Sequence, residues 1–231
     1  MTIALVDLDG TLIPLEAWDP VFYELSSIIA SRAGVEPQDV WGLVKALHYQ
    51  LMRRFDPKAF DWQYLFESVG SSLGIFDIPN IEDILLKYVD NFPVNEGAFE
   101  LLRDLRSLGL SPVIATNGLY RYQHIVVERL GFSKYVDGVR TSDAYGCTKS
   151  CSRFFEGASL VIGDNPIFDV YFPKKFGVAT IFIGEWNRAV RKYSELLGID
   201  AGIVRPDYIA ADLIEARAVV ARFKAWERSA P

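Results

Sequence analysis

The chain is poor in the residues that carry soft-metal and thiol chemistry, with two cysteines and two histidines in 231 residues. Cys147 and Cys151 lack the second pair or clustered histidines that a structural zinc site needs, so two free thiols are expected. A disulfide would be out of place in a reducing compartment. Long apolar runs are also missing. The opening one, Ile3 to Val6, stops at Asp7 and is too short for a membrane span or a signal-peptide core, so the expectation is a cytoplasmic protein with no membrane partner. Basic charge is not in excess: 24 Lys and Arg against 30 Asp and Glu leave a net charge of -6, which argues against a broad nucleic-acid footprint. Repeats and low-complexity segments are absent. The hydrophobic half of the chain supports a folded core, either one large domain or a core carrying an inserted module.

What is present is a recurring design. Ile3-Ala4-Leu5-Val6 is a continuous apolar run that stops at Asp7-Leu8-Asp9-Gly10-Thr11. Pro112 to Ala115 stops at Thr116-Asn117-Gly118, Leu160 to Ile162 at Gly163-Asp164-Asn165, and Ala179 to Ile183 at Gly184. Runs of this length bounded by turn residues read as strands buried on both faces of a parallel sheet. Helical stripes alternate with them. Ala98, Leu101, Leu102, Leu105 and Leu108 end at Gly109, and Ile125, Val126 and Leu130 end at Gly131. Alternation of this kind predicts an α/β fold with a doubly wound, mainly parallel Rossmann-like sheet, whose ligands sit beyond the carboxyl ends of the strands. Tyr208-Ile209-Ala210 and an amphipathic helix from Asp212 to about Trp226 close the chain.

Residues 14–92 break the alternation. Val21, Leu25, Ile28 and Ile29 make one helical stripe, and Val40, Leu43, Val44, Leu47 and Leu51 a second. Trp62, Leu65, Phe66 and Val69 make a third, and Ile81, Ile84, Leu85 and Tyr88 a fourth. The expected organisation is a core of residues 1–13 and 93–231 with an all-helical module, 14–92, inserted after the first strand. The apolar stripes could face a core or a partner, which leaves the oligomeric state open.

Asp7 and Asp9, two apart at a strand's exit, can both project into the crevice beyond the sheet. Like charges held close either share a proton or hold a hard, oxygen-seeking cation such as magnesium. The plainer alternative is a turn, which Asp and Gly commonly form. Thr116 could similarly be a helix cap, and Lys149 a solvated surface lysine. Asp169 could orient Lys149, support Asp164, or serve as a first-turn helix acid.

The order of these residues resembles the haloacid dehalogenase superfamily. Its first motif is matched by Asp7-Leu8-Asp9-Gly10-Thr11-Leu12, its second by a strand ending in Thr116, its third by Lys149, and its fourth by Gly163-Asp164 with Asp169 beyond. The resemblance implies that Asp7 is a nucleophile forming an aspartyl-phosphate and that Asp9 is the general acid and base. It also implies a magnesium ion held by Asp7, the backbone carbonyl of Asp9, and Asp164, with the phosphate bound by Thr116, the amides near Asn117, and Lys149. Dehalogenases of the superfamily lack the acid two residues after the nucleophile, so Asp9 favours phosphate esters over halides. The chain departs from the pattern after Lys149: Ser150 follows where Pro is common, and the short stretch Cys151 to Ser159 requires an abbreviated helix.

An insert at this place is similar to the helical caps that close over such sites. Glu16, Trp18, His48, Arg53 and Arg54 are candidates for its inner surface, although each taken singly fits ordinary packing or a solvated helix end. The implied activity is magnesium-dependent hydrolysis of a small phosphorylated metabolite. A phosphosugar mutase and a non-catalytic binding or regulatory protein are the competing readings.

Overall fold

The structure is a computed structural model that describes the backbone of residues 2–229 and the side chains of residues 2–222. Residues 1, 230 and 231 of the expected core, and the side chains of the closing helix from residue 223, lie outside the described residues.

The first strand, β1 (Thr2–Val6), leads into an insert of helices α1 (Asp19–Ala33), α2 (Pro37–Met52), α3 (Trp62–Ser72) and α4 (Ile81–Tyr88). No strand interrupts the insert among the described residues. Alternation then sets in with α5 (Ala98–Ser107), β2 (Leu110–Ala115), α6 (Tyr120–Arg129), β3 (Val139–Arg140) and the short α7 (Ser142–Tyr145). It continues with β4 (Ala158–Gly163), α8 (Phe172–Lys175), β5 (Ala179–Ile183), α9 (Trp186–Leu197), β6 (Tyr208–Ala210) and α10 (Leu213–Ser229). The six strands form one wholly parallel sheet in the order β3-β2-β1-β4-β5-β6. The chain runs outward from β1 to β3 and then returns to the other side of β1. The topological switch point therefore lies between β1 and β4, where the carboxyl ends carry Asp7 and Asp164.

Alternating side chains of the strands feed two cores. Ala4, Val6, Leu160 and Ile162 join Leu102, Leu105 and Val126 on one face. Leu5, Val113 and Val161 join Phe154, Phe168 and Phe172 on the other. All of these positions are buried, which is why the strands read as unbroken apolar runs. Pro112 is tolerated inside β2 because the alternate amides Ile114 N and Thr116 N bond toward the β3 side, and Pro112 precedes the start of that pairing.

The edge strands β3 and β6 depart from the sequence reading, which assigned four strands; β3 has two residues and shows no period. Leu43 also departs from its stripe, being 46% exposed while Val40 and Val44 are buried. The cysteines require a correction as well. Cys147 and Cys151 are joined as a disulfide with Cα atoms 6.3 Å apart, in place of the two free thiols expected. The tight turn after α7 brings the pair within bonding reach, which spacing alone did not reveal.

Candidate active site

Asp7 follows the last residue of β1, and its carboxylate is buried. Oδ1 accepts from Lys149 Nζ at 2.6 Å and Oδ2 from Thr11 Oγ1 at 3.1 Å. Gly10, at φ 97°, makes the turn that brings this loop against β4: a Cβ there would stand 2.6 Å from Asp164 Oδ2. Glycine is needed for both the backbone angle and the contact.

Lys149 is 2% exposed and lies between two acids, with Nζ also 2.6 Å from Asp169 Oδ1 and 3.1 Å from the carbonyl of Ala115. Its own amide donates to Asn117 Oδ1 at 2.7 Å, while Ser142 Oγ donates to the Asn117 carbonyl. The turn after β2 thus places the lysine from the far side of the site. As expected, the segment after it is abbreviated to a single 3-10 turn, Ser152–Phe155. The buried Arg140 ties this segment down by donating to the carbonyls of Phe154 and Glu156.

Asp169 is fully buried on a π-helical turn, Pro166–Tyr171, capped by the side chain of Asn165. Its Oδ2 accepts from the Asn165 amide at 3.0 Å while its other oxygen holds Lys149, so the orienting reading fits its geometry. Oxygen atoms of Asp7, Asp164 and Asp169 lie within 4.8 Å of one another. Burial, then repulsion from Asp7 and Asp169, pushes the Asp164 carboxyl well above the usual carboxylate range. Burial likewise raises Asp169 to about 7, with Lys149 opposing the rise and Asp7 adding to it. Lys149 is itself pulled down by burial, but Asp169 and Asp7 outweigh that and hold its ammonium above the ordinary lysine value. Three carboxylates sharing one ammonium form an electron-rich pocket of hard oxygen donors, a donor set that fits magnesium.

The Asp9 side chain faces away from this cluster. Trp18 Nε1 donates to its Oδ1 at 2.7 Å, and Gln123 Nε2 (2.7 Å) and Thr116 Oγ1 (3.3 Å) donate to its Oδ2. Only its backbone carbonyl is left for the expected role at a cation. Burial and the charge of Asp7 raise the Asp9 carboxyl to about 6, against the pull of the three donors. Thr116 is not a helix cap: its hydroxyl serves Asp9 and accepts from the Gly118 amide, and α6 begins at Tyr120. Gln123 was not anticipated. The only trace it leaves in the sequence is a polar residue at a buried position of α6.

Above these groups lies a cavity of about 330 Å³ between the sheet ends and the insert. Asp7, Asp9, Thr116, Asn117, Lys149 and Asp164 line its polar end. Of the insert candidates, Glu16, Trp18 and His48 line it; Arg53 and Arg54 do not. Arg53 instead donates to the Leu196 carbonyl of α9, and both arginines are exposed.

Residues 1–177 match the family described as haloacid dehalogenase-like hydrolase. Among solved structures, the chain is similar to a HAD phosphatase from Thermococcus onnurineus, with a TM-score of 0.73 and 21% identity over 95% of this chain and 98% of that one. It is also similar to the putative HAD-hydrolase YfnB from Bacillus subtilis, bound to magnesium (TM-score 0.64, 17% identity, 95% and 99% covered). An L-2-haloacid dehalogenase from Xanthobacter autotrophicus is similar as well (TM-score 0.61, 16% identity, 96% and 99% covered). At these identities the likeness is one of fold. No curated protein matches the chain in sequence.

Proposed function

Because the chain belongs to the haloacid dehalogenase-like hydrolase family, we propose that it hydrolyses a small phosphomonoester with magnesium, through an aspartyl-phosphate on Asp7, and that the helical insert serves as the cap over the site. The observation that supports this reading above dehalogenation is Asp9. Halide leaves without a proton, whereas an alkoxide needs one, and a carboxyl with its pKa raised to about 6 can both give and take a proton near neutrality.

The roles follow from the contacts. An Asp7 oxygen attacks phosphorus as the ester P–O bond breaks, and Asp9 gives its proton to the departing alkoxide. Asp9, now ionised, takes a proton from the water that splits the aspartyl-phosphate, so both groups return to their starting states. Lys149 holds Asp7 in place from one side and Thr11 from the other. Trp18, Gln123 and Thr116 hold Asp9 and stabilise it once it is ionised. Asp7 and Asp164, with the Asp9 carbonyl, would hold magnesium, and Asp169 would set Lys149 beside them. The bound cation would offset the repulsion between the nucleophile and the anionic ester.

The test is release of inorganic phosphate from a panel of phosphorylated metabolites with and without magnesium, in the natural chain and in Asp7→Asn. Magnesium-dependent release that disappears in a folded Asp7→Asn protein is the expected result. Full turnover in that variant rejects the reading. Isomerisation in the presence of a bisphosphate, without phosphate release, would identify a mutase instead.

A further inference from the structure

The wall of the cavity contributed by the insert is built from rings. Phe22, Trp41 and Trp62 form a triangle of rings, with centroids 5.0 Å apart for Phe22–Trp41, 4.4 Å for Phe22–Trp62 and 6.2 Å for Trp41–Trp62. His48 stacks on Trp62 at 5.1 Å and 27°, with Phe60 edge-on to it at 5.6 Å. All five line the cavity that Asp7 and Lys149 also line. They come from α1, α2, α3 and the 3-10 turn between α2 and α3, so several helices of the insert converge on one aromatic chamber. Rings packed against one another keep their faces in place, so the chamber is formed in advance.

The charge on this wall is confined to its exposed margin, where Lys45 Nζ stands over the Trp41 ring, 5.6 Å from its centroid. His48 Nδ1 donates to the Ala59 carbonyl at 2.7 Å, and burial depresses the basicity of the ring, which therefore stands neutral. The charged residues on this side, Glu16, Asp19 and Lys45, are exposed. A leaving group rich in hydroxyls would have to lose its water against these rings with few partners in return, which is unfavourable. A flat apolar ring would bury its faces against aromatic surface and leave its phosphate at the polar end.

We propose that the substrate is the phosphate monoester of an aromatic or heteroaromatic alcohol, its ring held in the chamber of Phe22, Trp41, His48, Phe60 and Trp62. The assignment rests on the phosphatase reading of the site and adds the class of leaving group to it.

The test compares benzyl phosphate with glycerol 3-phosphate in the magnesium-loaded enzyme; both release an alkoxide, so the comparison is not governed by a phenol's intrinsic reactivity. Stacking on several rings leads us to expect kcat/KM to favour benzyl phosphate by about 100-fold, and Trp62→Leu to shrink that ratio by about tenfold. Equal kcat/KM for the two esters, within about threefold, overturns the assignment while leaving the phosphatase reading intact. Binding is measured separately on Asp7→Asn, through tryptophan fluorescence with benzylphosphonate and with 3-hydroxypropylphosphonate. Preferential quenching of Asp7→Asn by benzylphosphonate, together with no phosphate released from any ester by the natural chain, would support the chamber and reject the phosphatase. Failure of benzylphosphonate to bind more tightly than its acyclic counterpart overturns the chamber whatever the turnover.

Discussion

Replacing Lys149 with methionine isolates the electrostatics of the site from its chemistry. The ammonium is buried and stands 2.6 Å from a carboxylate oxygen of both Asp7 and Asp169. Methionine fills much of the same volume, so the loss is mainly one of charge. Oxygens of Asp7, Asp164 and Asp169, within 4.8 Å of one another, would then have no cation among them. Removing one partner of a buried ion pair leaves an uncompensated charge and costs about 3–5 kcal/mol. For a chain of this size that corresponds to a fall of roughly 6–20 °C in Tm. The cost should depend on pH with a definite sign. Asp169 has its carboxyl raised to about 7 even with Lys149 present, and the loss of the ammonium raises it further. At pH 5.5 the natural chain and the variant both hold Asp169 largely protonated, whereas at pH 8 the higher carboxyl pKa of the folded variant adds a cost that the natural chain does not bear, so its deficit should be larger at pH 8. Thermal melts in EDTA at the two pH values measure this, and magnesium should recover part of the deficit at pH 8. Coupling is checked by Lys149→Met combined with Asp169→Asn, which removes one of the stranded charges and should be less destabilised than the single variant. A Lys149→Met deficit below about 1 kcal/mol at pH 8 in EDTA would refute the reasoning, since that is the range of an exposed ion pair.

Asp164→Asn should raise the Tm of the magnesium-free protein at pH 8. The folded chain resists ionising this group, so the penalty is absent below the ordinary carboxylate range and grows as pH rises; the gain should vanish near pH 4, and with it the magnesium-induced rise in Tm. Asp9→Asn should slow alkyl phosphates by about 10²–10⁴-fold in formation of the aspartyl-phosphate, but slow 4-nitrophenyl phosphate far less, because nitrophenolate leaves without a proton. Equal losses on both esters, read by single-turnover kinetics, would remove Asp9 from the proton-donating role. Trp18→Phe keeps the ring and loses the donor that lowers the pKa of Asp9, so the limb of the kcat profile set by Asp9 should move to higher pH, with the loss greater at pH 6 than at pH 8. An unchanged profile would show that the indole only packs.

Four of the six strands, and the polar punctuation at their ends, were legible in the chain because a strand buried on both faces leaves an unbroken apolar run with turn residues at its exit. Asp7, Asp9, Thr116 and Asp164 could be named because they sit in that punctuation, which all falls at one edge of a parallel sheet, whereas Lys149 and Asp169 were named through the motif order of the resembled family. Gln123 and the ring chamber had no such mark. Gln123 is a polar residue on a helix, Trp62 read simply as a member of an apolar stripe, and Phe22 and Trp41 stand beside stripes without belonging to them. Whether a ring fills a core or walls a cavity is a matter of what stands opposite it. Leu43 and the cysteine pair were misread on similar grounds, since a stripe does not say how wide its buried face is and spacing does not say how a turn folds back.

The chain by itself therefore determined the parallel sheet, the run of helices after β1 and the acidic residues at the strand ends, since all three depend on local periodicity and on where apolar runs stop. Only the tertiary structure decided which carboxylate faces which donor. Lys149 meets Asp7 across 142 positions of sequence and Gln123 meets Asp9 across 114. At such separations, partners are chosen by strand order and helix packing, neither of which leaves a trace in the neighbouring residues.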